Sequence, residues 1–162
     1  MPLDLNKHDL MARIIAKLSA DLEQLTSAAL ATHAEATDEE NKAEDKYDTR
    51  GLEASYLAHG QSKAAEEAAQ AVAQFQKLPI RDFPADEPIS LGALVVLEGQ
   101  GHSYYFIGPR AGGTEVGVDG RTVMVITPQS PLGRQLMGRK QGHALQLDQG
   151  NRLSEFRVTS VV

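Results

Sequence analysis

A run of carboxylates between Glu35 and Asp48 forms a dense group of potential ligands. Its letters are E-A-T-D-E-E-N-K-A-E-D-K-Y-D, which give seven carboxylates, two lysines and a local charge of −5. Carboxylate oxygens bind hard divalent cations such as Mg²⁺, and they also pair with basic protein surfaces. Glu40 and Glu44 are four residues apart, so on a helix they would lie on one face and could share an ion. The alternative is a solvated, charged turn that binds nothing.

Two long helical patterns flank this acidic segment and would position it. They are predicted over about 6–34 and 38–77, and apolar or small residues recur in both at spacings of three and four. These residues are Met11, Ile15, Leu18, Leu22, Leu25 and Ala29 in the first pattern and Ala65, Ala68, Val72 and Phe75 in the second. Such seams favour the packing of one helix against another. We therefore predict an antiparallel helical hairpin, a coiled coil, over residues 1–79 with its acidic tip near 35–48; pairing of helices between two chains is the alternative.

The net charge of the chain lies in its first half. Residues 1–84 carry fifteen acidic and nine basic side chains, whereas residues 85–162 carry seven of each. An acidic chain is a poor ligand for a phosphate backbone, which needs clustered lysine and arginine. The five histidines have no metal-ligand spacing and cysteine is absent, so no zinc site is predicted and a reducing compartment fits. Because no apolar run approaches the length of a membrane span, we expect a soluble, cytoplasmic protein that binds no membrane.

The period of the pattern changes after Pro79, which cannot continue the second helix. Short segments of strand-forming residues, separated by turn signals such as Asp119-Gly120, then predict a sheet. The predicted strands cover residues 91–98, 103–108, 114–118, 121–127, 144–147 and 155–161. A short helix is predicted over 130–137, with a serine cap and a proline at its first position. The fold class is therefore α+β, in which an antiparallel sheet domain with one short helix occupies residues 80–162.

Residues 123–142 carry a motif with a known counterpart. They read V-M-V-I-T-P-Q-S-P-L-G-R-Q-L-M-G-R-K-Q-G, a strand followed by an S-P-L-G-R helix and a G-R-K-Q-G turn. This motif, with the order and size of the two halves, resembles the Gre-type transcription elongation factors of bacteria. The resemblance implies an FKBP-like fold in the second half, which binds the rim of the secondary channel of RNA polymerase. The residues it implies at the rim are Ser130, Pro131, Arg134, Arg139 and Lys140.

The resemblance also implies a role for the acidic segment. In Gre-type factors the tip of the coiled coil reads D-x-x-E-N-A-E-Y, enters the channel and helps to hold Mg²⁺ for hydrolysis of backtracked RNA. Here Glu40-Asn41 matches the E-N pair, and Ala43-Glu44 matches A-E if Lys42 is an insertion. Glu40 and Glu44 would then hold Mg²⁺ only together with the polymerase, which supplies further oxygen ligands. The candidate tip carboxylates are Asp38, Glu39, Glu40, Glu44 and Asp45.

The tip departs from the family pattern at two positions. The first aspartate of the pattern falls on Thr37, and the tyrosine, Tyr47, is displaced. Two functions therefore stay open: stimulation of the polymerase's own transcript cleavage, and blocking of the channel without cleavage. In both, the chain is a monomer and not an enzyme, has no cofactor of its own, and contacts nascent RNA only indirectly. A further hypothesis, peptidyl-prolyl isomerase activity, is disfavoured because the chain has no tryptophan to floor a proline pocket.

Overall fold

The computed structural model describes residues 4–37, 50–148 and 150–162. Helix α1 spans Lys7–Thr37 and helix α2 spans Arg50–Lys77. The five candidate tip carboxylates, including the two proposed metal ligands, lie outside the described residues. Within the described part of the chain, no helix is long and apolar enough to cross a lipid bilayer.

Backbone contacts divide the chain into two compact units. One consists of residues 16–73, and the other joins residues 1–15 to residues 74–162. The first turns of α1 are thus grouped with the sheet, whereas the sequence analysis assigned all residues before 80 to the helical part. The later part of α1 and most of α2 lie in one unit, whereas the predicted reversal between them falls outside the described residues.

Helix α1 starts at the predicted cap. The Asn6 side-chain oxygen Oδ1 accepts a hydrogen bond from the Asp9 main-chain N–H at 3.1 Å, which satisfies a free donor of the first turn. Leu10 and Ile14 follow, and neither has any exposed surface. Phe75, near the end of α2 and in the same unit, is also fully buried, and its ring centre lies 6.3 Å from that of Phe106.

The residues of the predicted seams are buried or half-buried wherever burial is described in residues 16–73. Leu18, Ala29 and Val72 are buried, and Leu22, Leu25, Ala65 and Ala68 are half-buried; Ala71, which was not in the predicted seam, is buried as well. Leu30, which lies off the seam, is 65% exposed. The spacing of apolar residues therefore identified the packed face of both helices.

The second half forms a six-stranded sheet with one short helix, so the predicted α+β class is confirmed. The elements are β1 Leu94–Glu98, β2 His102–Ile107, β3 Glu115–Val118, β4 Arg121–Ile126, α3 Pro131–Leu136, β5 Ala144–Asp148 and β6 Leu153–Val161. The strand order is β3-β4-β2-β1-β6-β5. Each predicted strand is present, with its ends shifted by three residues or fewer.

The sheet is mixed: four strand pairs are antiparallel as predicted, and the prediction was wrong for one pair. Strands β2 and β4 run parallel, with Tyr104 opposite Val123 and Ile107 opposite Ile126. The parallel pair arises because β3 lies at the outer edge of the sheet and not beside β2. Strand β4 follows β3 through a tight hairpin and fills the place between β3 and β2. That hairpin turn has positive φ angles at Asp119 (51°) and at the following glycine (75°), as a two-residue turn of this type requires.

The core of the sheet unit lies against the face that α3 covers. Its buried members are Phe83, Ile89, Ala93, Val95, Leu97, Ile107, Ile126, Leu136, Leu145, Val158 and Val161. Leu136 is the residue that α3 contributes, and it has no exposed surface. The packing of Leu136 in the core therefore fixes α3 on the sheet, so the residues on the outer side of α3 have a defined position.

Candidate docking surface

The candidate site is the outer surface of α3 and of the loop that follows it. The helix begins with a serine cap: Ser130 Oγ accepts a hydrogen bond from the Gly133 N–H at 3.0 Å and donates one to the Thr127 carbonyl at 2.8 Å. Pro131 occupies the first helical position, where its missing N–H has no cost. The predicted capped helix is confirmed, and the cap joins the end of β4 to the start of α3.

Gly133 lets the helix lie directly on the turn before it. A Cβ atom at this position would overlap the main-chain oxygen of Thr127 and lie 2.8 Å from Ser130 Oγ. Any side chain would therefore push α3 away from the turn, because a main-chain atom cannot move aside as a flexible side chain can. The close approach of α3 to the turn therefore explains why the S-P-L-G-R motif has a glycine at this position in this chain.

The loop after α3 is held at both ends by main-chain hydrogen bonds. Gly138 N–H donates to the Ile89 carbonyl at 3.0 Å, and Ile89 N–H donates to the Arg139 carbonyl at 2.7 Å. At the other end, Gly142 N–H donates to the Val158 carbonyl at 2.7 Å. Gly138 and Gly142 have φ angles of 83° and 93°, in the left-handed region that favours glycine. These hydrogen bonds and turns fix the backbone conformation of the loop.

Two residues of the loop bond to each other. Lys140 N–H donates to His143 Nδ1 at 3.2 Å, and His143 N–H donates to the Lys140 carbonyl at 3.1 Å. Nδ1 accepts through its ring lone pair, so the two hydrogen bonds close the turn between these residues. A lone histidine near a basic motif gives no signal of this pairing in the sequence.

Three cations project from this surface. Arg134, Arg139 and Lys140 are all exposed. Among the described residues, none of the three has a carboxylate within salt-bridge distance. The Arg139 Nε–H donates to the Gln135 carbonyl at 3.2 Å, which leaves its terminal nitrogens available. Together with the exposed Pro131, these groups form what we call the basic patch, a surface suited to an acidic protein partner.

Comparison with known proteins found likeness only among solved structures. No family model and no curated protein matches the chain. A structure of the transcription factor Gfh1 is 24% identical with a TM-score of 0.40, and the match covers 91% of this chain and 92% of that one. Gfh1 of Thermus thermophilus is 21% identical, with a TM-score of 0.37 and coverage of 91% and 94%. The elongation factor GreA/GreB of Nitrosomonas europaea is 18% identical, with a TM-score of 0.35 and coverage of 58% and 78%.

With identities below 25% and TM-scores below 0.5, these likenesses assign no function to the chain. The structure brings four of the five predicted rim residues to one exposed surface, and the fifth, Ser130, is the half-buried cap that holds it in place. The described residues contain no group of three or more histidine and carboxylate side chains that could hold a metal ion.

A buried lysine is the charged group that the sequence analysis missed. Lys7 is only 7% exposed, and its ammonium group donates to three main-chain oxygens: Arg81 at 2.7 Å, Gly92 at 2.8 Å and Val162 at 2.9 Å. It also lies 4.9 Å from the centre of the Phe83 ring. Burial lowers the pKa of Lys7 to about 8. Its partners lie far away in the sequence, so no local pattern could have indicated them.

The segment around Arg81, which accepts one of the Lys7 hydrogen bonds, is held by an ion pair and a contact between a cation and an aromatic ring. The Arg81 guanidinium lies 3.9 Å from the centre of the Phe83 ring and donates to both carboxylate oxygens of Glu87, at 2.9 and 2.7 Å. This hydrogen bonding raises the pKa of Arg81 and lowers the pKa of Glu87. We interpret Lys7 and its surroundings as a structural anchor, because every donor of the ammonium group is used within the protein.

Proposed function

We propose that this chain is a Gre-type elongation factor that binds bacterial RNA polymerase in the cytoplasm. The basic patch contacts the rim of the secondary channel, and the acidic segment at 35–48 acts inside the channel. The chain is then not an enzyme: it acts on RNA through the activity of the polymerase and touches the transcript only indirectly. The resemblance of the S-P-L-G-R…G-R-K-Q-G motif is what suggests this partner.

One observation carries the proposal. The motif folds into a capped helix and a pinned loop that leave Arg134, Arg139 and Lys140 exposed and without carboxylate partners among the described residues. These three cations lie on α3 and the loop that follows it, in a domain whose acidic and basic residues are equal in number. Their fixed position therefore favours a partner with a complementary acidic surface.

The binding test compares two charge-reversed variants with the same change in net charge. Arg134→Glu with Arg139→Glu alters the basic patch, whereas Arg110→Glu with Lys77→Glu alters exposed cations elsewhere. Two interfacial charges of this kind contribute on the order of 1–2 kcal/mol, so the patch variant should bind core RNA polymerase about tenfold more weakly. The control should bind like the wild type. Equal binding by the patch variant would remove the proposed docking surface.

The activity test uses stalled, backtracked elongation complexes. Stimulated RNA cleavage would assign the chain to the cleavage factors, and slowed elongation without cleavage would assign it to channel blockers. Replacing Glu40 and Glu44 by alanine should abolish the effect while polymerase binding persists. A chain that neither binds the polymerase nor changes cleavage or elongation would refute the proposal.

A further inference from the structure

Strand β6 is longer than its neighbour β1, and this leaves part of β6 with one open side. Strand β1 ends at Glu98, opposite Arg157, before the chain turns at residues 99–101. Strand β6 extends to Leu153, and over residues 153–156 only β5 pairs with it among the described strands. The sheet therefore has a gap beside residues 153–156 of β6, where β1 would lie if it continued beyond the turn at 99–101.

The open side of β6 carries unused main-chain groups. Val158 N–H donates to the His143 carbonyl at 2.8 Å, so Val158 directs its main-chain groups toward β5. Along an antiparallel strand, successive residues direct these groups to alternate sides. Glu155 and Leu153 lie three and five residues from Val158, so their N–H and C=O groups face the gap. No described strand supplies partners for them there.

A cavity of about 670 Å³ occupies this gap, which we call the β6 notch. Its walls are residues 99–103 on one side and 152–156 on the other. Leu153 at its mouth is 71% exposed. Phe156, half-buried, packs so closely on Gly99 that a Cβ there would lie 2.5 Å from its ring. The notch thus combines a free strand edge, an aromatic wall and an exposed leucine.

The shape of the notch selects its occupant. Four extended residues span about 13 Å, enough to pair along 153–156. A second copy of this chain could not supply its own β6 edge, because that edge is recessed behind the same turn at 99–101. At the mouth, Arg152 is exposed and has no carboxylate partner among the described residues, whereas the exposed Glu155 lies further along the same wall. An acidic residue on the incoming segment is therefore favoured at the Arg152 end and disfavoured beside Glu155.

We propose that the β6 notch binds an extended segment of a partner protein, which adds a strand beside Leu153 and Glu155. The segment places an apolar side chain beside Phe156 and an acidic residue beside Arg152. Main-chain hydrogen bonds supply affinity in this mode, and the flanking side chains supply specificity. The notch is separate from the basic patch. The loop that carries the patch is hydrogen-bonded to β6 at Val158, and Val158 lies about 16 Å along the strand from Leu153.

The test uses a fluorescein-labelled octapeptide of alternating threonine and valine with an aspartate at each end. Its fluorescence anisotropy is titrated with the full chain, and amide NMR shifts locate the contact. Glu155→Pro removes the N–H that faces the notch and leaves the β5 hydrogen bonds, which come from alternate residues. Glu155→Thr is its control, since it removes the charge and keeps the N–H.

A second variant fills the notch from the opposite wall. A Cβ at Gly101 would meet no atom within 4 Å, so Gly101→Phe can be accommodated without strain at that atom. We expect saturable binding by the wild type and by Glu155→Thr, with shifts at the amides of Leu153 and Glu155. Binding should weaken about tenfold or more in Glu155→Pro and in Gly101→Phe.

Three results would overturn the proposal. They are absence of saturable binding up to about 1 mM peptide, equal affinity in Gly101→Phe, and shifts confined to other strands. Polymerase binding is measured separately on the same variants and should not change. A failure of the notch proposal can therefore be told apart from a failure of the proposed function.

Discussion

Replacing Lys7 by methionine tests whether the buried ammonium group stabilises the sheet unit. Methionine has a similar length and flexibility but no donor, so the oxygens of Arg81, Gly92 and Val162 would lose a hydrogen bond each. Three hydrogen bonds from a charged donor, at about 1.5 kcal/mol each, oppose a desolvation cost of roughly 3 kcal/mol. We therefore expect Lys7→Met to lower the free energy of unfolding by about 1–2 kcal/mol at pH 7.

The measurement is urea unfolding followed by circular dichroism. Lys63→Met is the matched control, because Lys63 is an exposed helical lysine and surface substitutions of this kind change stability by less than about 0.5 kcal/mol. If Lys7→Met were as stable as the control at pH 7, the three hydrogen bonds would have no net stabilising effect.

The wild type and Lys7→Met should also differ in how their free energy of unfolding depends on pH. The pKa of Lys7 is lowered from 10.5 to about 8 in the folded chain, so between these pH values the unfolded chain binds more protons. Stability must then rise with pH across this window, relative to Lys7→Met. The shift corresponds to about 3 kcal/mol, but a neutral amine has two N–H groups for three acceptors, so we expect a gain of about 1–3 kcal/mol. A difference that stays flat or falls between pH 8 and 10.5 would refute the desolvation argument.

Two further predictions concern the base of the basic patch. Gly133→Ala should lower the unfolding free energy by about 1–3 kcal/mol, since its Cβ would overlap the Thr127 carbonyl; an unchanged melting temperature would mean that the turn before α3 adjusts freely. Ser130→Ala should cost about 1 kcal/mol through loss of the helix cap, and Ser130→Asp should restore most of it because a carboxylate also accepts from Gly133 N–H. Equal melting temperatures of the two serine variants would show that the cap does not stabilise α3.

Local signals in the sequence predicted the elements well. A proline ended α2 at Lys77, an asparagine capped α1, and a Ser-Pro pair opened α3. Each of these depends on one or two neighbouring residues, whose conformational preferences act regardless of the rest of the fold. The rim residues could be predicted for the same reason, because they lie within one contiguous motif.

Features that depend on pairing between distant segments could not be predicted. The parallel β2–β4 pair follows from which edge β3 occupies, and the strand pattern is the same for either arrangement. Lys7 meets oxygens 74, 85 and 155 residues away, and a single lysine in a first helical turn carries no mark of that. The β6 notch arises because β6 begins at Leu153, four residues before Arg157, the partner of the last residue of β1.

The distribution of charge in the sheet domain indicates how the basic patch would act. Residues 85–162 hold seven basic and seven acidic side chains, so the domain has no net field to attract a polyanion from a distance. Three of the seven cations lie on α3 and its loop, which leaves four cations against seven carboxylates elsewhere. The Ser130 cap and the Gly138 and Gly142 turns hold these three cations in place. At physiological salt the field of these cations reaches only about 8 Å, so it would act on an acidic surface only at close encounter. A short-range field of this kind suits the docking on an acidic protein surface proposed above better than it suits binding along a polyanion.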